Sequence, residues 1–417
     1  MPIWYAHSSN TNINAAGLWH THPTNNTPVD FATCDGTVVL FANGKINIRI
    51  NTSFTCKELT TVTQLGGSIG GNFVFKGRDI AGNPTGAIKI TGDVIANEDT
   101  CILIQDPADA TTPLEIEGTI RGISNSGLVF QSNAHVTVNG NVIGDGCFGI
   151  QMMYGGSPYV CITGDVIGSS TDVCEGVFCE ADGATIVING NLTGSMGSAV
   201  TLSGYSINLI INGNVYGGIE MGGYGIYIYG GENHVSINGI CQGSGFASGL
   251  YCEASEVYII ADQVIGGDNS NNGIHIMNAD AYLTARIVQG GTGYGCGICS
   301  YNAPANHIVI TESLIGGLSE GSYGFNASGW MGIGAAVIKG NIIDTLACNA
   351  YNGAVLVDNT SANYYQTYHA SDNGTGNQPR RFPLQLSAES VKKGIQHGNI
   401  IGSLAPASPF RRLNRLV

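Results

Sequence analysis

Few residues in this chain have the type and spacing that chemistry requires. Glu180 and Glu253 each stand four residues after a Gly-apolar pair, Gly176-Val177 and Gly249-Leu250, a shared phase that would put both in one column of a repeating fold. Glycoside hydrolysis needs two carboxyl groups about 5–9.5 Å apart. The equivalent positions between them are Ser203 and Tyr229, so three repeats separate the two acids, ~14 Å at the spacing of paired strands. Asp145, Asp172, Asp182, Glu232 and Asp280 fall at scattered phases and read as solvated corners.

Sulfur and imidazole groups give similar answers. Cys296 and Cys299 form a C-x-x-C, but a closed zinc site needs a second pair, and residues three apart on a strand face opposite sides. Cys147 and Cys174 each precede a marker glycine by two residues, which predicts a thiol ladder with ~5 Å spacing and a disulfide only under oxidising conditions. His20-Thr21-His22 reads as an exposed polar loop unless an oligomer axis gathers several copies around a metal. Two Gly-x-Ser-x-Gly strings, at 66–70 and 317–321, do not precede helices and so lack the setting of a hydrolase nucleophile. Tyr154, Tyr229 and Tyr301 are candidates for a strip on which a glycan stacks. No metal, cofactor or catalytic residue is expected from these patterns, and the chain leans away from an enzyme.

What must position these residues is a repeat. The motif apolar-x-apolar-x-Gly-Asn/Asp-apolar-apolar recurs as Ile88–Ile95, Val136–Ile143, Val160–Ile167, Ile186–Thr193 and Leu209–Tyr216, with weaker copies at Leu114, Val235, Val257, Leu283, Ile308 and Ala336. The glycine position or its substitute runs from 92 to 340 in ten intervals, about 25 residues each. A second marker keeps step with it, including Gly127-Leu128, Gly149-Ile150, Gly225-Ile226 and Gly273-Ile274. Each repeat then holds about three short strands separated by turns where Gly or Asn takes a positive φ. One repeat has too few inward side chains to close a core. In-register parallel stacking supplies the rest.

The expected fold is all-β: a parallel, right-handed, three-sided β-helix over 36–365, between a capping or attachment segment at 1–35 and a docking segment at 366–417. Composition agrees, with 62 glycines in 417 residues, 43% hydrophobic and only 11% charged. Disordered chains are charge-rich and apolar-poor, and 12 prolines cannot support a collagen repeat. The Asn-Gly-Asn corners (Asn139, Asn141, Asn189, Asn191, Asn212, Asn214) should stack as structural ladders. No apolar run reaches the length of a membrane span, and Met1–His7 shows no signal peptide, so synthesis in a host cytoplasm with free thiols is expected.

Charge is uneven along the chain. The whole carries −14, yet 380–417 holds seven bases (Arg380, Arg381, Lys392, Lys393, Arg411, Arg412, Arg415) against Glu389 alone. Such a tail is suited to docking on an acidic neighbour.

The two ends carry a resemblance. Trp4-Tyr5, Trp19, Pro28-Val29-Asp30, Val38–Phe41, Ile46–Ile50 and Cys56-Lys57-Glu58-Leu59 resemble the opening of a family of phage virion proteins. Val391-Lys392-Lys393-Gly394-Ile395 and Gly402-Ser403-Leu404 are similar to an element at the ends of phage structural proteins, with Lys and Ser in place of the usual Arg and Thr. The resemblance implies a non-enzymatic virion part: a tail fibre, tailspike or capsid decoration. Its partners would be capsid, portal, tail or baseplate proteins, with a homotrimer as the implied oligomer and a host surface glycan as a further ligand. The rivals are a polysaccharide-degrading tailspike with an active site shared between subunits, and a passive glycan-binding adhesin.

Overall fold

The computed structural model describes residues 89–324 apart from 97–99, 106–113, 154–155, 220–222, 254–255, 270, 294, 302–307 and 318–323; outside these it gives backbone strands only. The chain divides into two compact units, Met1–Glu220 and Met221–Val417. Among the described residues every element is a strand or turn, and no helix is long and apolar enough to cross a membrane.

In the first unit each coil contributes three strands, as the repeat predicts. One coil runs Leu128–Phe130, His135–Val138 and Val142–Gly144; the next runs Ile150–Met152, Tyr159–Ile162 and Val166–Ile167. All pairing between these coils is parallel and in register, so Leu128 meets Ile150, Val136 meets Val160, and Val142 meets Val166. Alternation turns every second side chain inward. The columns Val136-Val160-Ile186-Leu209 and Val142-Val166-Leu192-Val215 are fully buried.

The corners between the second and third strands are held by side chains that accept hydrogen bonds from the coil above. Asn141 Oδ1 accepts from the Asp165 N–H at 2.8 Å, Asp165 Oδ1 from the Asn191 N–H at 2.7 Å, and Asn191 Oδ1 from the Asn214 N–H at 3.0 Å. A parallel rung joins Asn212 Nδ2 to Asn189 Oδ1 at 2.7 Å. The Asn/Asp positions of the repeat thus tie coil to coil through backbone N–H groups that the strands leave unpaired.

The glycines do something other than predicted. Among the described glycines only Gly156, Gly183 and Gly245 have positive φ, and none is a repeat marker; Asn269 and Asn278 take it as expected, and Ser195 and Ser206 take it as well. The markers are glycine because the next coil passes too close for a side chain. A Cβ on Gly149 would sit 2.7 Å from the Gly176 carbonyl oxygen and 2.8 Å from Val166 Cγ1, and one on Gly140 would collide with the Gly118 carbonyl.

The second unit departs from three strands per coil. Asn233–Gln242, Glu256–Ile265, Asp280–Gln289 and Asn306–Ile315 are single ten-residue strands, each paired in parallel with the next. Here the Gly-Asn corner has become Ala261-Asp262 and Ala285-Arg286, and register shifts between Ile237 and Ile240 and between Ala285 and Ile287 mark where it was. At each shift one strand carries an extra residue, Asn238-Gly239 against Asp262 and Thr311-Glu312 against Arg286, so each is a bulge. Arg286 then binds Asp262 at 2.5 Å and Glu312 at 2.6 Å, an ion ladder standing where the amide ladder stood.

Near the start of the chain the backbone strand Ile3–Ala6 pairs in parallel with Thr37–Leu40 and antiparallel with Trp19–His20. Arg380–Pro383 pairs antiparallel with Thr367–Ala370.

Gly149→Ala should cost about 2 kcal/mol through overpacking, read as a lower urea midpoint with unchanged slope. Ala199→Gly, at the marker position where a methyl already fits, should cost about 1 kcal/mol.

Candidate functional site

Aromatic side chains gather on the outward face of the second unit's short strands. Ile226–Ile228, Leu250–Cys252, Ile274–Met277 and Ile298–Tyr301 pair in parallel, with Ile226, Leu250, Ile274 and Ile298 buried beneath. Register then forces the alternate residues into one outward column: Tyr227, Tyr251, His275 and Cys299. Tyr224 and Tyr229 flank its first rung. Ring centroids lie 5.2 Å apart for Tyr227–Tyr251, 5.2 Å for Tyr224–Tyr251, 5.1 Å for Tyr227–Tyr229 and 4.9 Å for Tyr251–His275. The planes are tilted or edge-on; Tyr229 is exposed and Tyr224, Tyr227 and Tyr251 are half-buried.

Burial keeps Tyr224, Tyr227 and Tyr251 protonated. Burial, helped by the negative charge of Glu253, raises Tyr224 and Tyr227 and pushes Tyr251 up to about 12. Tyr251 also hydrogen-bonds Glu253, and its hydroxyl lies 3.6 Å from Met277 Sδ. Burial lowers His275, so its imidazole is neutral at neutral pH. The surface therefore offers apolar ring area, several hydroxyl donors and one carboxylate acceptor.

A second aromatic column differs in kind. His234, Tyr258 and Tyr282 lie flat on one another, with centroids 4.7 Å apart and planes 6° and 10° from parallel. Their faces are used up by their neighbours, and Tyr258 donates to Glu256. This ladder holds adjacent coils together rather than offering a surface.

Of the tyrosines singled out from sequence, Tyr229 is exposed and belongs to the cluster. Tyr301 is exposed at the end of Ile298–Tyr301, in register with Met277. Tyr154 lies outside the described residues. Tyr224, Tyr227 and Tyr251 were not singled out from sequence. The second residue after the marker glycine is the outward one, and Gly225-Ile226-Tyr227, Gly249-Leu250-Tyr251 and Gly273-Ile274-His275 carried that signal.

The two acids aligned from sequence, Glu180 and Glu253, fall in different units. Glu253 faces tyrosines, whereas Glu180 lies in the first unit, where its charge helps raise the buried Cys179 thiol. Glu175, unremarked in sequence, has its carboxyl raised by burial, yet its hydrogen-bond partner is Thr201 Oγ1 at 2.9 Å rather than a carboxylate. The C-x-x-C expectation needs correction: Cys296 sits in the turn before the strand, so alternation does not apply, and its thiol hydrogen-bonds that of Cys299. Cys147 and Cys174 do stack, with sulfurs 3.0 Å apart. The side chains of His20, His22, Arg380, Arg381, Lys392, Lys393, Arg411, Arg412 and Arg415 lie outside the described residues.

A family model described as periplasmic copper-binding protein (NosD) matches residues 89–261, a stretch that contains the most regular repeats. No curated protein and no solved structure matches the chain.

Replacing Glu253 with Gln removes a charge that opposes phenolate formation at Tyr224, Tyr227 and Tyr251, so the high-pH end of the ultraviolet tyrosine titration should move to lower pH than in the native chain. Glu175→Gln gives a test of opposite sense. Folding favours the protonated form of Glu175, so stability falls as pH rises above the ordinary carboxyl range. The variant should melt higher than the native chain at pH 7, and the gap should close below about pH 4.

Proposed function

We propose that the chain is a non-enzymatic β-solenoid scaffold that binds a linear saccharide along its tyrosine face. The observation that carries this reading is the outward column of Tyr227, Tyr251 and His275, flanked by Tyr224, Tyr229 and Glu253. A pyranose has an apolar C–H face and a rim of hydroxyls, and tilted phenols beside a carboxylate complement both. Rungs ~4.8 Å apart come close to the rise of one sugar residue, so an extended chain can meet successive rings.

Placement on a phage particle, as a tail fibre, spike or capsid decoration, extends this reading. It is supported by the resemblance at the two ends and by the basic run 380–415, which would dock to a neighbouring virion protein. The periplasmic description of the matching family model supports a location outside the cytoplasm, the setting in which a glycan-binding face has ligands.

The copper named in that description finds no fitting donor set among the described residues. Among the described residues no group of three or more His, Cys, Asp or Glu side chains is placed to hold a metal. The Met152–Cys179 sulfur pair, 3.8 Å apart, is enclosed in the core, where burial pushes the Cys179 thiol up to about 12 and withholds the thiolate a soft metal needs.

Glycan-array screening followed by calorimetry should find a polysaccharide bound without turnover. Tyr229→Ala, at an exposed position, should weaken binding about tenfold, or ~1.4 kcal/mol, with an unchanged melting temperature. A rise in reducing ends or in unsaturated uronate absorbance would establish a depolymerase instead.

A further inference from the structure

We infer that Cys147 and Cys174 are a disulfide-forming pair, the site at which a small-molecule disulfide such as oxidised glutathione closes a covalent cross-link between neighbouring coils of the first unit. The two sulfurs lie 3.0 Å apart. Each cysteine occupies the turn just ahead of a short strand, and those strands, Ile150–Met152 and Val177–Cys179, pair in parallel with Ile150 opposite Val177. The turns themselves are joined by the Gly149 N–H donating to the Glu175 carbonyl at 3.3 Å. In-register coils set their backbones ~4.8 Å apart, within the ~4.4–6.8 Å between Cα atoms that a disulfide bridges.

Other cysteines of the core are engaged differently. The Cys101 thiol donates to the Val94 carbonyl at 3.1 Å, and that of Cys241 to the Gly249 carbonyl at 3.2 Å. Cys147 is half-buried, whereas Cys174 is buried beside the exposed Asp172 and Val173. Cys147 is the more accessible of the two to a dissolved reagent and so the first to react, while burial and the neighbouring thiol raise Cys174.

The step balances as two exchanges. The Cys147 thiolate attacks one sulfur of glutathione disulfide, forming a mixed disulfide and expelling one glutathione thiolate. Cys174 then loses its proton and attacks the Cys147 sulfur, expelling the second. Two electrons pass from the cysteine pair to the reagent, and the two thiol protons end on two glutathiones. The bond spans 27 positions, one whole coil, and so opposes unzipping of the coils on either side. This inference is independent of the saccharide reading, because the pair lies in the first unit and the tyrosine face in the second.

The test uses the full chain, reduced and then treated with oxidised glutathione. Remaining thiols are alkylated, and the chain is cut without reductant by chymotrypsin, which cleaves after Phe148, Tyr154 and Tyr159. Mass spectrometry should find the Cys147 peptide joined to the Cys174 peptide, lighter by two hydrogens than their sum, with a higher melting temperature for the oxidised chain. In Cys174→Ser the joined peptide should vanish and Cys147 should retain one glutathione. Recovery of Cys147 alkylated or glutathionylated in the oxidised native chain, with no joined peptide, would overturn the assignment, and this peptide map decides even if the variant does not fold.

Discussion

Parallel, in-register pairing of successive coils is the constraint from which the other features descend. Because Val136 must lie over Val160 and then over Ile186, every property of one coil is copied or answered one rung away. Inward positions become aliphatic columns. Corner positions become amide ladders, since Asn141, Asp165 and Asn191 each accept from the backbone of the coil that follows. Marker positions become glycine, since the carbonyl of Gly176 occupies the space a side chain on Gly149 would need. A change at one rung is thus felt by two neighbours, which is why such a sequence keeps its period over many repeats.

That same copying made the fold legible without coordinates. Period, phase and alternation were enough to assign the strands Val136–Val138 and Ile186–Ile188 to one face and to align Cys147 with Cys174. Three-dimensional contact was less accessible. A glycine required by close approach and a glycine required by positive φ look alike in sequence, and only the position of the neighbouring backbone tells them apart. The merger of two strands into Glu256–Ile265 was not legible either, because Asn233–Gln242 merges in the same way while keeping the corner Asn238-Gly239. The C-x-x-C was misjudged because strand alternation was extended two residues beyond the strand, to Cys296.

The aromatic site shows the same limit. Its residues were visible as letters, but choosing the outward phase required knowing which residue after the marker leaves the core. Once Ile226 and Leu250 are known to be buried, Tyr227 and Tyr251 can only face out. Their tilt, and the reach of Glu253 to Tyr251, depend on side-chain packing that no periodicity encodes.

Column geometry also bears on what such a surface can do. Catalysis asks for unlike groups converging on one reacting atom, commonly from different elements and long loops. A stack of short-turned coils brings like positions together at a fixed rise, so its natural product is a line of similar side chains. Tyr224, Tyr227, Tyr229 and Tyr251 form such a group, and Glu253 adds an acceptor without a second carboxylate to divide the roles of acid and base. A line of similar contacts matches a ligand that is itself a repeat. On the saccharide reading proposed above, the regularity of this face is the property that suits it to a polymer.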